Sequence, residues 1–243
     1  MDRELSAESS HGERSKSRDD SDMITTNRHK GFLHNPVYLH DMETKYVDGK
    51  RYYKSPAGYL PSVTTVLGQK LKNPGLEAWK ARVGEEEAKR VSTQAAGRGS
   101  AVHLLCEKYL SNDPDYKRGA MPFNVATFST IKKHLDLCVG TIYGMEVPLW
   151  SEKLGAAGRT DLLAGWLGVN SVIDFKTSKR KKEEADIESY FLQATCYSLM
   201  AEERTVLKFP QIVIAIAVDH EESQIFVKQR DEYVDRVLEV FCS

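Results

Sequence analysis

The chain has 243 residues, of which 41% are hydrophobic and 28% are charged, and no apolar run approaches the roughly 20 residues of a transmembrane helix. The composition therefore indicates a globular protein with one buried core and no membrane partner. The formal net charge of −1 excludes nucleic-acid binding through a bulk excess of positive charge, so any such binding needs local basic patches or a metal ion.

The N-terminal half is predicted to be a tail followed by a hairpin and helices. Residues 1–22 are polar and charged, and we expect a disordered tail there. Asp48-Gly49 joins two strand-like runs, which predicts a β-hairpin. Ser62 is expected to cap a short helix. Asn73-Pro74 opens a longer helical stretch that we expect to break at Gly97 and Gly99. Further helices are predicted at 101–110 and 124–139.

The periodicity changes to that of strands in the C-terminal half. Three predicted strands joined by Gly-containing turns indicate a meander. A helix follows the meander, and after it come a strand that is apolar on both faces, a further strand and an amphipathic helix. These elements predict a mixed α/β fold, with a central mixed sheet of about four to five strands flanked by helices. In chain order they are 146–150, 159–166, 171–177, 183–204, 212–218, 224–229 and 232–241.

The strand IDFKT carries the strongest chemical signal. Side chains alternate along a strand, so Asp174 and Lys176 share one face and Phe175 points to the other. Asp161 lies on the preceding predicted strand and can converge with Asp174. Two carboxylates on a rigid sheet suit Mg²⁺ or Mn²⁺, and an adjacent lysine can stabilise negative charge, which phosphodiester hydrolysis requires. A structural Asp–Lys pair is the alternative interpretation.

Four short motifs in order strengthen the hydrolase interpretation. They are Gly99 with His103 and Glu107, Gly158-Arg159-Thr160-Asp161, Asp174-Phe175-Lys176, and Gln193 with Tyr197. This order resembles the RecB-like branch of the PD-(D/E)XK nuclease superfamily. The segment LPSVTTVLG at 60–68 and the stretch from Trp79 to Gly99 also resemble a narrower subgroup, which contains the mitochondrial genome maintenance exonuclease and related phage exonucleases.

The resemblance implies a restriction-endonuclease-like core with an N-terminal helical region. It implies one nuclease domain over residues 23–243, with the hairpin and helices in 37–143 and the catalytic core in 144–243. It further implies that Asp161, Asp174, His103 and the backbone carbonyl of Phe175 bind the metal. Lys176 would be the catalytic lysine, and Glu107 would act beside His103, which lies one helical turn away.

Candidate nucleic-acid contacts surround these motifs. Lys179 begins a basic run that directly follows the catalytic strand, where phosphate contacts would add affinity without sequence preference. A solvated charged loop is the alternative for that run, and Arg159 could instead pair with a carboxylate. The candidates are Arg98, Arg159, Ser178, Lys179, Gln193 and Tyr197.

The sequence therefore predicts a Mg²⁺- or Mn²⁺-dependent DNA exonuclease acting on single-stranded ends or flaps. The alternatives are a structure-selective endonuclease on the same core and a non-catalytic nucleic-acid-binding module. The four cysteines lack paired spacing, so free thiols and no iron–sulfur cluster are expected. The sequence contains no Walker motif, so no nucleotide cofactor is expected. Acidic residues in the tail favour a phage or bacterial cytoplasmic location, with a mitochondrial one as the alternative.

Overall fold

The computed structural model describes residues 31–71 and 74–242. The predicted tail at 1–22 and the predicted helix-opening residue Asn73 lie outside these ranges. None of the described helices combines the length and apolarity needed to cross a membrane. The four cysteines are all free, as expected from their spacing.

A three-stranded antiparallel sheet forms the first part of the described chain. Its strands are β1 (Thr44–Val47), β2 (Lys50–Ser55) and β3 (Gly58–Pro61). The Asp48-Gly49 hairpin is confirmed, and both residues have positive φ, as a tight two-residue hairpin turn requires. Strand β3 was not anticipated, because it begins with Gly58 and ends with Pro61, two residue types that are depleted in strands.

Six α-helices accompany the sheets in the described ranges of the chain. The Ser62 side chain accepts the Thr65 N–H at 3.0 Å and so caps the first helix, as predicted. The predicted break at Gly97 and Gly99 is wrong, because one helix runs without interruption through both residues. A helical glycine costs only about 1 kcal/mol relative to alanine, which tertiary packing can offset. The helices are α1 (Val63–Lys70), α2 (Pro74–Val83), α3 (Glu85–Leu110), α4 (Pro122–Cys138), α5 (Glu188–Arg204) and α6 (Val234–Cys242).

A five-stranded mixed sheet forms the centre of the fold, which confirms the predicted class. The first three strands form the expected antiparallel meander, α5 connects the third strand to a parallel fourth, and the fifth is antiparallel at the edge. The strands, in spatial and chain order, are β4 (Val139–Ser151), β5 (Ala156–Trp166), β6 (Val169–Ser178), β7 (Gln211–Val218) and β8 (Gln224–Gln229).

Helices cover both faces of this sheet. On one face, Leu192 of α5 packs in a buried cluster with Val172 of β6. On the other face, Leu105 of α3 shares a buried cluster with Ile173 and Phe175 of β6. Successive residues of β6 thus enter opposite cores, which places Asp174 and Lys176 on the α5 side and Phe175 on the α3 side, as the alternation predicts.

Candidate active site

The site forms where β5 and β6 stop pairing. Their ladder extends from the Trp166–Val169 pair to the Leu162–Ile173 pair. At the next position, the Asp161 carboxylate oxygen Oδ2 accepts the backbone N–H of Phe175 at 2.7 Å. The Asp161 side chain therefore takes the place of a ladder hydrogen bond at the point where the strands diverge. This hydrogen bond ties the Asp161 carboxylate to the backbone of the residue after Asp174, close enough for its charge to act on Asp174, as the meander predicts.

Asp174 and Lys176 form a buried pair that is supported by α5. The Lys176 Nζ contacts Asp174 Oδ2. The lysine side chain is 20% exposed, whereas the aspartate side chain is 1% exposed. Gln193 bridges the pair: its Nε2 donates to Asp174 Oδ1 at 3.0 Å, and its Oε1 accepts from Lys176 Nζ at 3.4 Å. The Tyr190 ring centroid lies 5.0 Å from the same ammonium. The lysine is thus held in position by a carboxylate, an amide and an aromatic face.

His103 and Glu146 complete a cluster of metal-ligand types around Asp161. The His103 Nδ1 lies 3.5 Å from Asp161 Oδ1. One ligand atom from each of His103, Glu146 and Asp161 lies within 4.8 Å of the other two. Glu146 was not selected from the sequence, although it begins the predicted strand EVPLW. In the antiparallel register it lies between the Met145–Leu162 and Val147–Thr160 pairs, directly opposite Asp161.

The electrostatics favour a protonated lysine among carboxylates. Burial raises the pKa of Asp174 to about 6, and the Lys176 ammonium only partly offsets this effect. Burial lowers the pKa of Lys176, but Asp174 and Asp161 outweigh it and raise the value overall. Burial would raise the pKa of Asp161, but His103, Lys176 and the Phe175 amide together lower it. Burial and the Asp161 charge raise the pKa of Glu146.

Two cavities adjoin the ligand cluster on the α3 side. A small one of about 10 Å³ has His103, Glu107, Glu146 and Asp161 in its wall, and is comparable to the space occupied by one small ion or water. A larger groove of about 470 Å³ shares His103, Glu107 and Glu146 and extends along α3 past Ser100. Glu107, which the sequence predicted to act beside His103, therefore lines both cavities next to the cluster.

The donor set fits a hard divalent cation. Glu146 and Asp161 are like charges placed directly opposite each other on paired strands, an arrangement that is destabilising without a compensating cation. Two carboxylates with one imidazole nitrogen are ligands that divalent metal ions accept. Asp174 Oδ1 contacts Gln193 and Oδ2 contacts Lys176, so Asp174 lies beside the His103–Glu146–Asp161 cluster.

Gly158 and Tyr197, two motif residues distant in sequence, contact each other. A Cβ on Gly158 would lie 2.6 Å from the Tyr197 hydroxyl oxygen and 2.8 Å from Cε1, far inside van der Waals contact. Tyr197 is 2% exposed, one turn after Gln193 on α5. A glycine at this position of β5 therefore allows the helix that carries Gln193 to approach the sheet closely.

The remaining candidate nucleic-acid contacts occupy different environments. Arg98 forms a largely buried ion pair with Asp219, whereas Arg159 pairs with the exposed carboxylate of Asp41 rather than with a carboxylate of the site. The Ser178 hydroxyl donates to the carbonyl of Arg180 at 2.6 Å. Lys179 is exposed. Their roles in nucleic-acid binding stay predictions.

Comparisons with known proteins give one sequence relative and a limited structural similarity. The chain is 28% identical over 130 residues to mitochondrial genome maintenance exonuclease 1 from Homo sapiens. That alignment covers 51% of this chain and 38% of the human protein, so the chain matches well under half of the relative's length.

Among solved structures, a "putative exonuclease" from Eubacterium rectale matches 61% of this chain and 67% of its own chain, with 17% identity and a TM-score of 0.36. A scan against models of protein families gives no match. The human relative supports a relationship to exonucleases, and membership of the PD-(D/E)XK superfamily stays a prediction.

Proposed function

We propose that this chain is a metal-dependent deoxyribonuclease, and specifically an exonuclease that hydrolyses phosphodiester bonds of DNA at single-stranded ends or flaps. The observation that carries the proposal is the junction of β5 and β6, where the His103–Glu146–Asp161 cluster adjoins the Asp174–Lys176 pair. The similarity to the human exonuclease supports the reaction class and the exonuclease mode.

The chain's own residues divide the chemical tasks between them. His103, Glu146 and Asp161 would hold Mg²⁺ or Mn²⁺, and the resemblance adds Asp174 and the backbone carbonyl of Phe175 to the ligands. A bound metal would polarise the phosphoryl oxygen and lower the pKa of the attacking water. Lys176 keeps its proton, because the neighbouring carboxylates raise its pKa. Its task is therefore to orient the water and to stabilise charge that develops on the phosphate, rather than to act as a base.

The groove beside the site suits a DNA strand. It begins at His103, Glu107 and Glu146 and continues along α3 past Ser100 and Gly99. Lys179 lies on the segment that follows β6, where it can contact phosphates. A structure-selective endonuclease would use the same centre, and a non-catalytic binding module would not need the Asp174–Lys176 pair.

Cleavage of labelled DNA tests the proposal. We expect the protein to degrade end-labelled single-stranded DNA with Mg²⁺ or Mn²⁺ and to be inactive in EDTA. Lys176→Ala should lower the rate by about 10²–10³, the usual cost of removing one transition-state donor.

Lys208→Ala is the matched control, because Lys208 precedes β7 at the end of the sheet away from Lys176 and its side chain is 75% exposed. Cleavage of circular single-stranded DNA would indicate an endonuclease. Absence of metal-dependent cleavage by the unaltered protein would refute the proposal.

A further inference from the structure

Glu146 has an unusual backbone conformation at the centre of the candidate metal cluster. Its φ is +49°, in the left-handed region that L side chains adopt at a cost. The residue is neither glycine nor Asn or Asp, which tolerate this region best. Such a conformation inside a strand persists only when neighbouring groups hold it in place.

Arg159 provides the contact. It lies opposite Pro148 in the β4–β5 register, and its side chain reaches diagonally so that Nη1 donates to the backbone carbonyl of Glu146 at 3.1 Å. Its Nη2 pairs with the carboxylate of Asp41. One guanidinium thus connects the strained residue to the segment that precedes β1. Arginine suits this task because its planar fork can donate to two acceptors in fixed directions.

Asp41 in turn belongs to a segment that is fixed to β4 upstream. The N–H groups of Asn35 and Val37 donate to the carbonyls of Ile142 and Tyr143 at 2.8 and 2.7 Å. The Asp41 carboxylate also accepts the N–H of Met42, whose side chain is buried. The anchor for Arg159 is therefore tied to the same strand that carries Glu146.

We propose that Arg159, anchored by Asp41, is a positioning residue that fixes the backbone of Glu146 and thereby directs its carboxylate at the His103–Asp161 metal cluster. This inference rests on the proposed function, since it requires that the cluster binds a metal. It replaces the role that the sequence suggested for Arg159. Both ends of its guanidinium are occupied by protein acceptors, and its side chain is only 28% exposed.

Metal binding without DNA separates the two roles of Arg159. The full chain is titrated with Mn²⁺ alone, and free Mn²⁺ is followed by its EPR signal. We expect Arg159→Ala to weaken Mn²⁺ binding about 10-fold, because partners that orient a ligand typically contribute 10–100-fold to metal affinity. Asp41→Asn should weaken binding less, in the same direction. Glu43→Gln is the matched control, because it removes an exposed ion pair to Lys54 near the same segment.

A double-mutant cycle shows whether the effect passes through Glu146. In a Glu146→Gln background, Arg159→Ala should weaken Mn²⁺ binding no further. An equal loss in both backgrounds, or unchanged Mn²⁺ binding with weaker DNA binding, would overturn the positioning role while leaving the proposed function intact. A wild-type chain that binds no Mn²⁺ would refute the metal site itself. Thermal melts check folding, and if Arg159→Ala does not fold, Asp41→Asn carries the same cycle.

Discussion

Gly158→Ala tests the close approach of α5 to β5. The new methyl carbon would lie 2.6, 2.8 and 3.1 Å from Oη, Cε1 and Cζ of Tyr197, whereas carbon atoms in contact are about 3.5–4.0 Å apart. The buried tyrosine ring must therefore move by roughly 1 Å, together with the turn of α5 that carries it. Overpacking of this kind typically costs about 1–3 kcal/mol.

Chemical denaturation and thermal melting measure this cost. A loss of about 1–3 kcal/mol corresponds to a fall in Tm of about 2–12 °C for a domain of this size. Gly165→Ala is the control on the same strand, because its methyl carbon would lie 3.7 Å or more from its nearest neighbours. That variant should be neutral or stabilised by up to about 1 kcal/mol, since alanine restricts the unfolded chain.

A second variant, Tyr197→Leu, tests whether the tyrosine ring is the group that the new methyl carbon contacts. In Tyr197→Leu the ring is absent, so Gly158→Ala should cost much less than it does in the wild type. Equal destabilisation in both backgrounds would show that the glycine is required for another reason, such as strand conformation. A fully stable Gly158→Ala would refute the close-approach argument altogether.

Two further predictions concern the buried Asp174–Lys176 pair. Gln193→Leu removes the amide that bridges the pair, and we expect initial rates on single-stranded DNA to fall about 10–100-fold; an unchanged rate would show that the bridge does not position Lys176. The pKa of Asp174 is raised to about 6 in the folded chain, so the folded state binds the proton more tightly than the unfolded state. The stability that this group contributes is therefore lost as pH rises from about 4 through 6, by up to about 3 kcal/mol. Asp174→Asn should gain stability relative to wild type over that range in EDTA, and a difference independent of pH would contradict the raised pKa.

Local patterns in the sequence predicted the parts of the site that depend on neighbouring residues. Alternation along a strand placed Asp174 and Lys176 together, and helical spacing placed His103 and Glu107 on one face. Glu146 was missed because its position opposite Asp161 depends on the β4–β5 register and on a left-handed backbone, neither of which is a local pattern.

Other contacts of the fold could not be predicted because they join residues that are far apart in the sequence. The ion pair of Arg98 with Asp219 joins residues 121 positions apart, and nothing local marks either of them as the partner of the other. The predicted break at Gly99 failed for a similar reason. A Cβ there would lie 3.6 Å from the Thr177 side chain, so the helix passes close to the end of β6, a neighbour that local propensity does not take into account.

The unbroken helix α3 has a mechanical consequence. Its 26 residues form a rod of about 39 Å, in which Ala88 is buried near the start and the other buried residues all lie from Val102 onward. His103 lies within this second, anchored part. The dense burial from Val102 to Leu110 therefore fixes the turn that presents the imidazole to Asp161, so substitutions on the exposed turns before Gly97 should disturb the site less than substitutions in the buried C-terminal turns.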